Sequence, residues 1–184
     1  YKKTLATLVL YYLADLCGKT FNPAPIQRLD KNTSGLILFA KTYESLKLYN
    51  ELMRERKLGK YYITIVKGNM TEGGEVKGFL TKDEVENKVT ITLEGPGLAI
   101  HTKYQPLEVK RGYTKVEVEL LTGRSHQIRA SMNCAGFPIV GDTKYGGKKM
   151  VEHGQFLHAW KLILADERVF TCESEKISTF WDNL

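Results

Sequence analysis

Cysteine is scarce in this chain: Cys17, Cys134 and Cys172 are the only three in 184 residues. They are scattered, odd in number and never arranged as CxxC, which argues against a disulfide framework or a thiolate metal site. A reducing cytoplasm is therefore the expected compartment. Long apolar runs are also missing. Leu8–Leu13 and Leu36–Ala40 fall far short of the roughly 20 residues that a membrane-spanning helix needs, and no charged-then-apolar leader opens the chain. The expectation is a soluble protein with no membrane partner. His101, His126, His153 and His158 form no H-x-x-x-H or cysteine-adjacent pattern, so no metal and no nucleotide cofactor are expected. Repeats, low-complexity tracts and linkers are absent, which favours one domain over residues 1–184. The chain opens without methionine, already inside a helical pattern, so a missing N-terminal part is expected.

Against these absences stand 42% apolar residues and 10% aromatics, enough for one well-filled core without staples. A net charge of +6 and a pI near 9.1 favour a polyanionic partner, because lysine and arginine release counterions on meeting phosphates.

Leu5, Leu8, Val9, Tyr12, Leu13 and Leu16 recur at helical spacing, with Gly18 as the expected C-cap. Leu36–Ala40 reads as a buried strand, preceded by the polar turn Arg28-Leu29-Asp30. A second helix is expected from an N-cap at Thr42, followed by a strand over 61–66. Segments 75–80, 88–93, 99–105 and 114–121 read as an antiparallel meander. In the last of them Val116, Val118 and Leu120 alternate with Lys115, Glu117 and Glu119, giving one wet face. A third helix is expected after Gly123 with Ser125 as its N-cap, then glycine-rich turns over 136–154, a strand over 157–165 and a helix over 176–183. The expected class is α+β, with a mixed, mostly antiparallel central sheet flanked by helices and loops.

Two stretches carry chemistry. Gln27-Arg28-Leu29-Asp30-Lys31-Asn32-Thr33-Ser34-Gly35-Leu36 presents a carboxylate from a turn set against a strand. Thr122-Gly123-Arg124-Ser125-His126-Gln127-Ile128-Arg129 sets two arginines at a helix start, which suits an anion. Farther on come Gly136-Phe137-Pro138-Ile139-Val140-Gly141-Asp142 and Tyr145-Gly146, and Lys60-Tyr61-Tyr62 and Leu157-His158-Ala159 stand as further motifs. Together these resemble the RluA-type pseudouridine synthases, in particular the RluC/RluD-like subgroup, over nearly the whole chain.

That resemblance implies an RNA uridine isomerase acting on ribosomal RNA; a monomer is the default expectation. By motif position it implies Asp30 as the catalytic aspartate, Tyr62 as the ring packed on the target base, Arg129 as the arginine paired with Asp30, and Arg28 as the arginine associated with base flipping. Thr33, Arg124, His126 and Gln127 fall in the same motifs and are expected to contact RNA, with Lys144 tracking phosphates from its loop. Two departures stand out: Gln27 replaces the histidine common before R-L-D, and the family's N-terminal K-P-x-G strands, often preceded by a small RNA-binding domain, are absent. Two other readings stay open. One is a non-catalytic RNA-binding domain of the same fold. The other is a hydrolytic N-glycosidase in which Asp142 serves as partner carboxylate to Asp30.

Overall fold

The structure is a computed structural model describing residues 4–17, 21–150 and 154–184. In chain order it contains α1 (Leu5–Tyr12), β1 (Ala24–Pro25), β2 (Ser34–Gly35), β3 (Phe39–Ala40), α2 (Tyr43–Arg54), β4 (Gly59–Lys67), β5 (Gly74–Asp83), β6 (Lys88–Thr92), β7 (Leu98–Lys110), β8 (Tyr113–Leu120), α3 (Gln127–Cys134), β9 (Leu157–Ile163), β10 (Val169–Thr171) and α4 (Glu175–Asp182). Contacts group the chain into two compact units, Tyr1–Leu29 with Ile37–Leu58 and Asp30–Leu36 with Gly59–Leu184.

In the first unit α1 begins at Thr4, whose Oγ1 accepts the Thr7 N–H at 3.2 Å, and gives way after Leu13 to a 3-10 turn, Ala14–Leu16. The C-cap expected at Gly18 lies outside the described residues. Thr42 caps α2 as its sequence suggests, accepting the Ser45 N–H at 3.2 Å. Glu44 in the first turn and Arg54 in the last complement the helix dipole. Strands β1 and β3 pair antiparallel.

The second unit is built on a sheet of order β10-β9-β4-β8-β7-β5-β6, with β2 added parallel to β9 and every other pairing antiparallel. Its β7–β8 hairpin turns through Arg111 and Gly112, both at positive φ, as a two-residue loop between right-twisted strands requires. Along β8, Thr114, Val116, Val118 and Leu120 are buried and the residues between them are not. One face is thus dry. The other carries ion pairs such as Lys161–Glu117 at 3.2 Å.

Two expectations change. The strand expected over Leu36–Ala40 is divided: Ser34–Gly35 pairs with β9 and Phe39–Ala40 with β1, so the intervening residues join different partners and belong to no ladder. Nor are β5 to β8 a simple meander. β7 pairs with β5 and leaves β6 at the edge, where Val89 packs with Leu80, Ile100, Ala130 and Tyr145. A one-dimensional pattern records which strands are apolar on one face but not their lateral order.

Helix α3 is buried over six consecutive residues, Gln127 to Met132, although half of these are polar. Each polar one has partners, so burial does not leave it unsatisfied. At the far end, α4 starts from Ser174, whose Oγ accepts the Ile177 N–H at 3.3 Å, and inserts Ile177 and Trp181 against Ile65, Val140 and Phe156. Among the described residues, no helix is long and apolar enough to cross a membrane.

Candidate active site

Asp30 heads a tight turn in which the Thr33 N–H donates to the Asp30 carbonyl at 3.0 Å and Asn32 takes a left-handed conformation, φ 68°, which asparagine tolerates. The buried Gln155 clamps this turn, its amide donating to Lys31 O at 2.8 Å and Thr33 Oγ1 at 3.0 Å. Thr33 is thereby tied to the turn itself. Two residues on, Gly35 lies at φ 112°, and a Cβ there would collide with the Ala159 carbonyl. Only glycine lets β2 lie this close to β9, and that seating anchors the turn carrying Asp30.

The Asp30 carboxylate faces the start of α3. Its Oδ1 receives the His126 N–H at 3.5 Å, and its Oδ2 lies 3.6 Å from a terminal nitrogen of Arg129. The shorter bonds of that guanidinium go elsewhere: Arg129 Nε donates to Asp142 Oδ2 at 2.7 Å and NH2 to Asp142 Oδ1 at 2.8 Å. Arg129 thus pairs bidentately with Asp142 and turns its remaining nitrogen to Asp30. Burial opposes the Arg129 charge, but hydrogen bonding and the charges of Asp142 and Asp30 outweigh it and hold the pKa above its ordinary value. Asp142 is seated in the turn after Ile139, where its N–H donates to Ile139 O and its own carbonyl accepts the Tyr145 and Gly147 N–H groups. With its side chain 1% exposed and both oxygens on Arg129, Asp142 is poorly placed to activate a water, which counts against the glycosidase reading.

Tyr62 is buried on the dry face of β4, and burial followed by the Asp30 charge pushes its phenol up to about 12. The folded value exceeds that of a free phenol, about 10. The linked stability is therefore fully present below pH 10 and is lost as pH rises through about 12. A difference titration of phenolate absorbance against Tyr62→Phe should show no Tyr62 ionisation below about pH 11; a step near pH 10 would contradict the buried placement.

The N-cap of α3 is His126, in a left-handed conformation at φ 56° with no side-chain cap bond, and not Ser125 as the sequence suggests. Gln127 holds the loop in front of the helix instead: its Oε1 accepts from Thr122 Oγ1 and the Arg124 N–H, and its Nε2 donates to His101 O and Thr102 Oγ1. Gln127 is 2% exposed, so its polar atoms serve the loop. His126 Nδ1 lies 3.0 Å from the Tyr145 hydroxyl, which accepts the Val89 N–H at 2.8 Å. Giving the hydroxyl proton to Nδ1 completes the chain and leaves the His126 proton on Nε2. Burial first, then Arg129, lowers the His126 pKa. The unfolded chain then takes up protons first as pH falls below about 6.5, so stability drops with pH in that range. Nitrogen NMR at pH 7 should show neutral His126 protonated on Nε2, and a dominant Nδ1–H form would overturn the assignment.

Lys144 donates to the carbonyls of Glu86 and Asn87, each at 3.0 Å, bracing the β5–β6 turn. The exposed Arg124 side chain makes no hydrogen bond or ion pair with a described residue. Arg28 is exposed in the first compact unit. His158 is fixed between Ser34 Oγ and Cys172 O, and His101 meets Glu75, while His153 lies outside the described residues. The sequence offered no sign of the Gln155 clamp. It did offer Asp142, inside the glycine-flanked motif, but not its partner.

A family model described as RNA pseudouridylate synthase matches residues 7–134. An uncharacterized RNA pseudouridine synthase of Chloroflexus aurantiacus is 33% identical over 168 residues, 90% of this chain and 53% of its own length. A protein named ribosomal large subunit pseudouridine synthase D, from Pseudomonas aeruginosa, is 34% identical over 145 residues, 79% of this chain and 45% of its own. This chain thus spans about half the length of the curated relatives it matches. Among solved structures, human RNA pseudouridylate synthase domain containing 4 superposes with a TM-score of 0.78 at 23% identity, covering 97% of this chain and 82% of that one, a likeness of fold. With the matched model spanning well over half its residues and the site motifs in order, the chain belongs to the RNA pseudouridylate synthase family.

Proposed function

We propose that the chain is the catalytic domain of an RNA pseudouridine synthase, isomerising uridine to pseudouridine with Asp30 as the acting carboxylate. The observation that carries this reading is the arrangement around Asp30: a partly exposed carboxylate whose orientation is held by a clamped turn, by Arg129 and by the His126 N–H. In the reaction the C1′–N1 bond breaks, a C1′–C5 bond forms, the C5 hydrogen leaves as a proton and N1 gains one. An ionised carboxylate can serve as nucleophile or base in such a sequence. Tyr62, neutral at working pH, supplies a ring for the extruded base, whose removal from its stack costs a few kcal/mol. Arg28 fills the vacated space, and Arg124 meets phosphate.

Ribosomal RNA is the proposed substrate, supported by the name of the Pseudomonas aeruginosa relative. A cytoplasmic location is proposed, in keeping with three exposed, unpaired cysteines, and a monomer is the proposed state. The test is tritium release from RNA labelled at uridine C5, incubated with this chain and with its full-length parent. Release without free uracil is expected; free uracil would indicate hydrolysis, and no release from either protein would leave a binding domain of the same fold.

A further inference from the structure

Lys60 lies on β4, two residues before Tyr62, and both side chains face the dry side of the sheet. It is 8% exposed, yet it makes no hydrogen bond and no ion pair with any described residue. Burial alone acts on its ammonium and lowers the pKa, with no carboxylate to offset it. A buried unpaired ammonium is costly, and lysines are almost never fully buried unless paired. The only sealed, unpartnered side-chain nitrogen or oxygen among the described residues is Trp160 Nε1, so Lys60 Nζ keeps an opening to solvent.

That opening lies beside the loop leading into α3. A Cβ on Gly123 would stand 3.5 Å from Lys60 Nζ, so the ammonium is set against a residue with no side chain to cover it. The neighbouring Arg124 side chain is exposed and unpaired, and the N–H groups of Gly123 and Ser125 make no hydrogen bond among the described residues. The positive end of α3 lies just beyond. Lys60 Nζ, the Arg124 side chain and these two N–H groups thus lie on or beside one loop with no protein acceptor among the described residues.

Resting on the RNA reading of this site, we infer that Lys60 and the Gly123–Ser125 loop form an anion site for one RNA phosphate, next to the nucleotide whose base meets Tyr62. The strand rise places Lys60 about 7 Å from Tyr62, within the reach of a neighbouring phosphate. An arriving phosphate supplies the missing counter-charge and offsets the cost of burying the ammonium. The site is kept at the expense of stability, as functional sites commonly are.

The test uses the full chain carrying Asp30→Asn, so that RNA is bound without turnover, with Lys60→Met compared to Lys60 for affinity across a salt series and for Tm. The expected result is affinity weakened roughly 10- to 150-fold at low salt, as loss of a charged hydrogen bond implies. The slope of log K against log salt should shrink by about 0.7, one phosphate's worth on a single strand, with Tm unchanged or raised. Single methylphosphonate replacements along the RNA provide an arm that needs no variant. One position should weaken binding to the Lys60 protein, and at that position Lys60→Met should add nothing. Unchanged slope and affinity overturn the inference while leaving the isomerase reading intact. An effect of Lys60→Met with no sensitive methylphosphonate position also overturns it, assigning the lysine to a base oxygen. Absence of any RNA binding overturns both readings.

Discussion

Asp30→Asn should lower tritium release from C5-labelled RNA by roughly 10²–10⁴-fold, the range for loss of a positioned acid–base group, while leaving Tm within a few degrees of the parent. The stability half follows from the charge arrangement. Asp30 lies 3.6 Å from Arg129 with its side chain 23% exposed, whereas Arg129 and Asp142 satisfy each other through bonds of 2.7 and 2.8 Å. Removing the Asp30 charge therefore leaves a complete buried pair behind it. The activity half follows from chemistry, since an amide is neither an effective base nor a nucleophile at this position. Retained tritium release in Asp30→Asn would sink the assignment of Asp30, and a large fall in Tm would show that the carboxylate is chiefly structural.

Arg129→Met should do the reverse, with a large cost in stability in addition to lost activity. It strands Asp142, whose side chain is 1% exposed, as an uncompensated buried carboxylate. Breaking such a pair from one side costs about 3–5 kcal/mol, or roughly 6–20 °C in a domain of this size. The double variant Arg129→Met with Asp142→Leu removes both charges and should regain most of that stability, because a buried ion pair and an apolar replacement are often close in energy. It should stay inactive, since Asp30 would have lost the guanidinium that faces it. Thermal melts of the three proteins decide the matter: a single variant as stable as the parent, or a double variant no better than the single, would contradict the shared-guanidinium arrangement.

Much of this site was legible as motifs. Asp30 in its turn, Arg129 near the start of a helix and Tyr62 on a strand were placed by residue type and order, and the structure brings Arg129 and Tyr62 within electrostatic reach of Asp30. What those motifs did not convey was the division of labour. Gln127 looked available to RNA, but its amide is used up within the loop. Lys144 looked like a phosphate contact, but it braces a turn 57 and 58 residues away in sequence. Lys60 stands in the sequence only as the first residue of the Lys60-Tyr61-Tyr62 motif, with no role of its own. In each case the outcome depends on which polar groups the folded chain brings near, and spacing along the sequence does not encode that distance.

By itself the sequence determined the local elements. Alternation in β8 and the cap at Thr42 follow from side-chain period and local hydrogen bonding, which act between near neighbours. Tertiary structure alone decided the lateral order of β5, β6 and β7, the burial of a half-polar α3, and the choice of Asp142 over Asp30 as the bidentate partner of Arg129. These depend on contacts between residues far apart in the chain, where geometry and desolvation select one partner among several of the same chemical type.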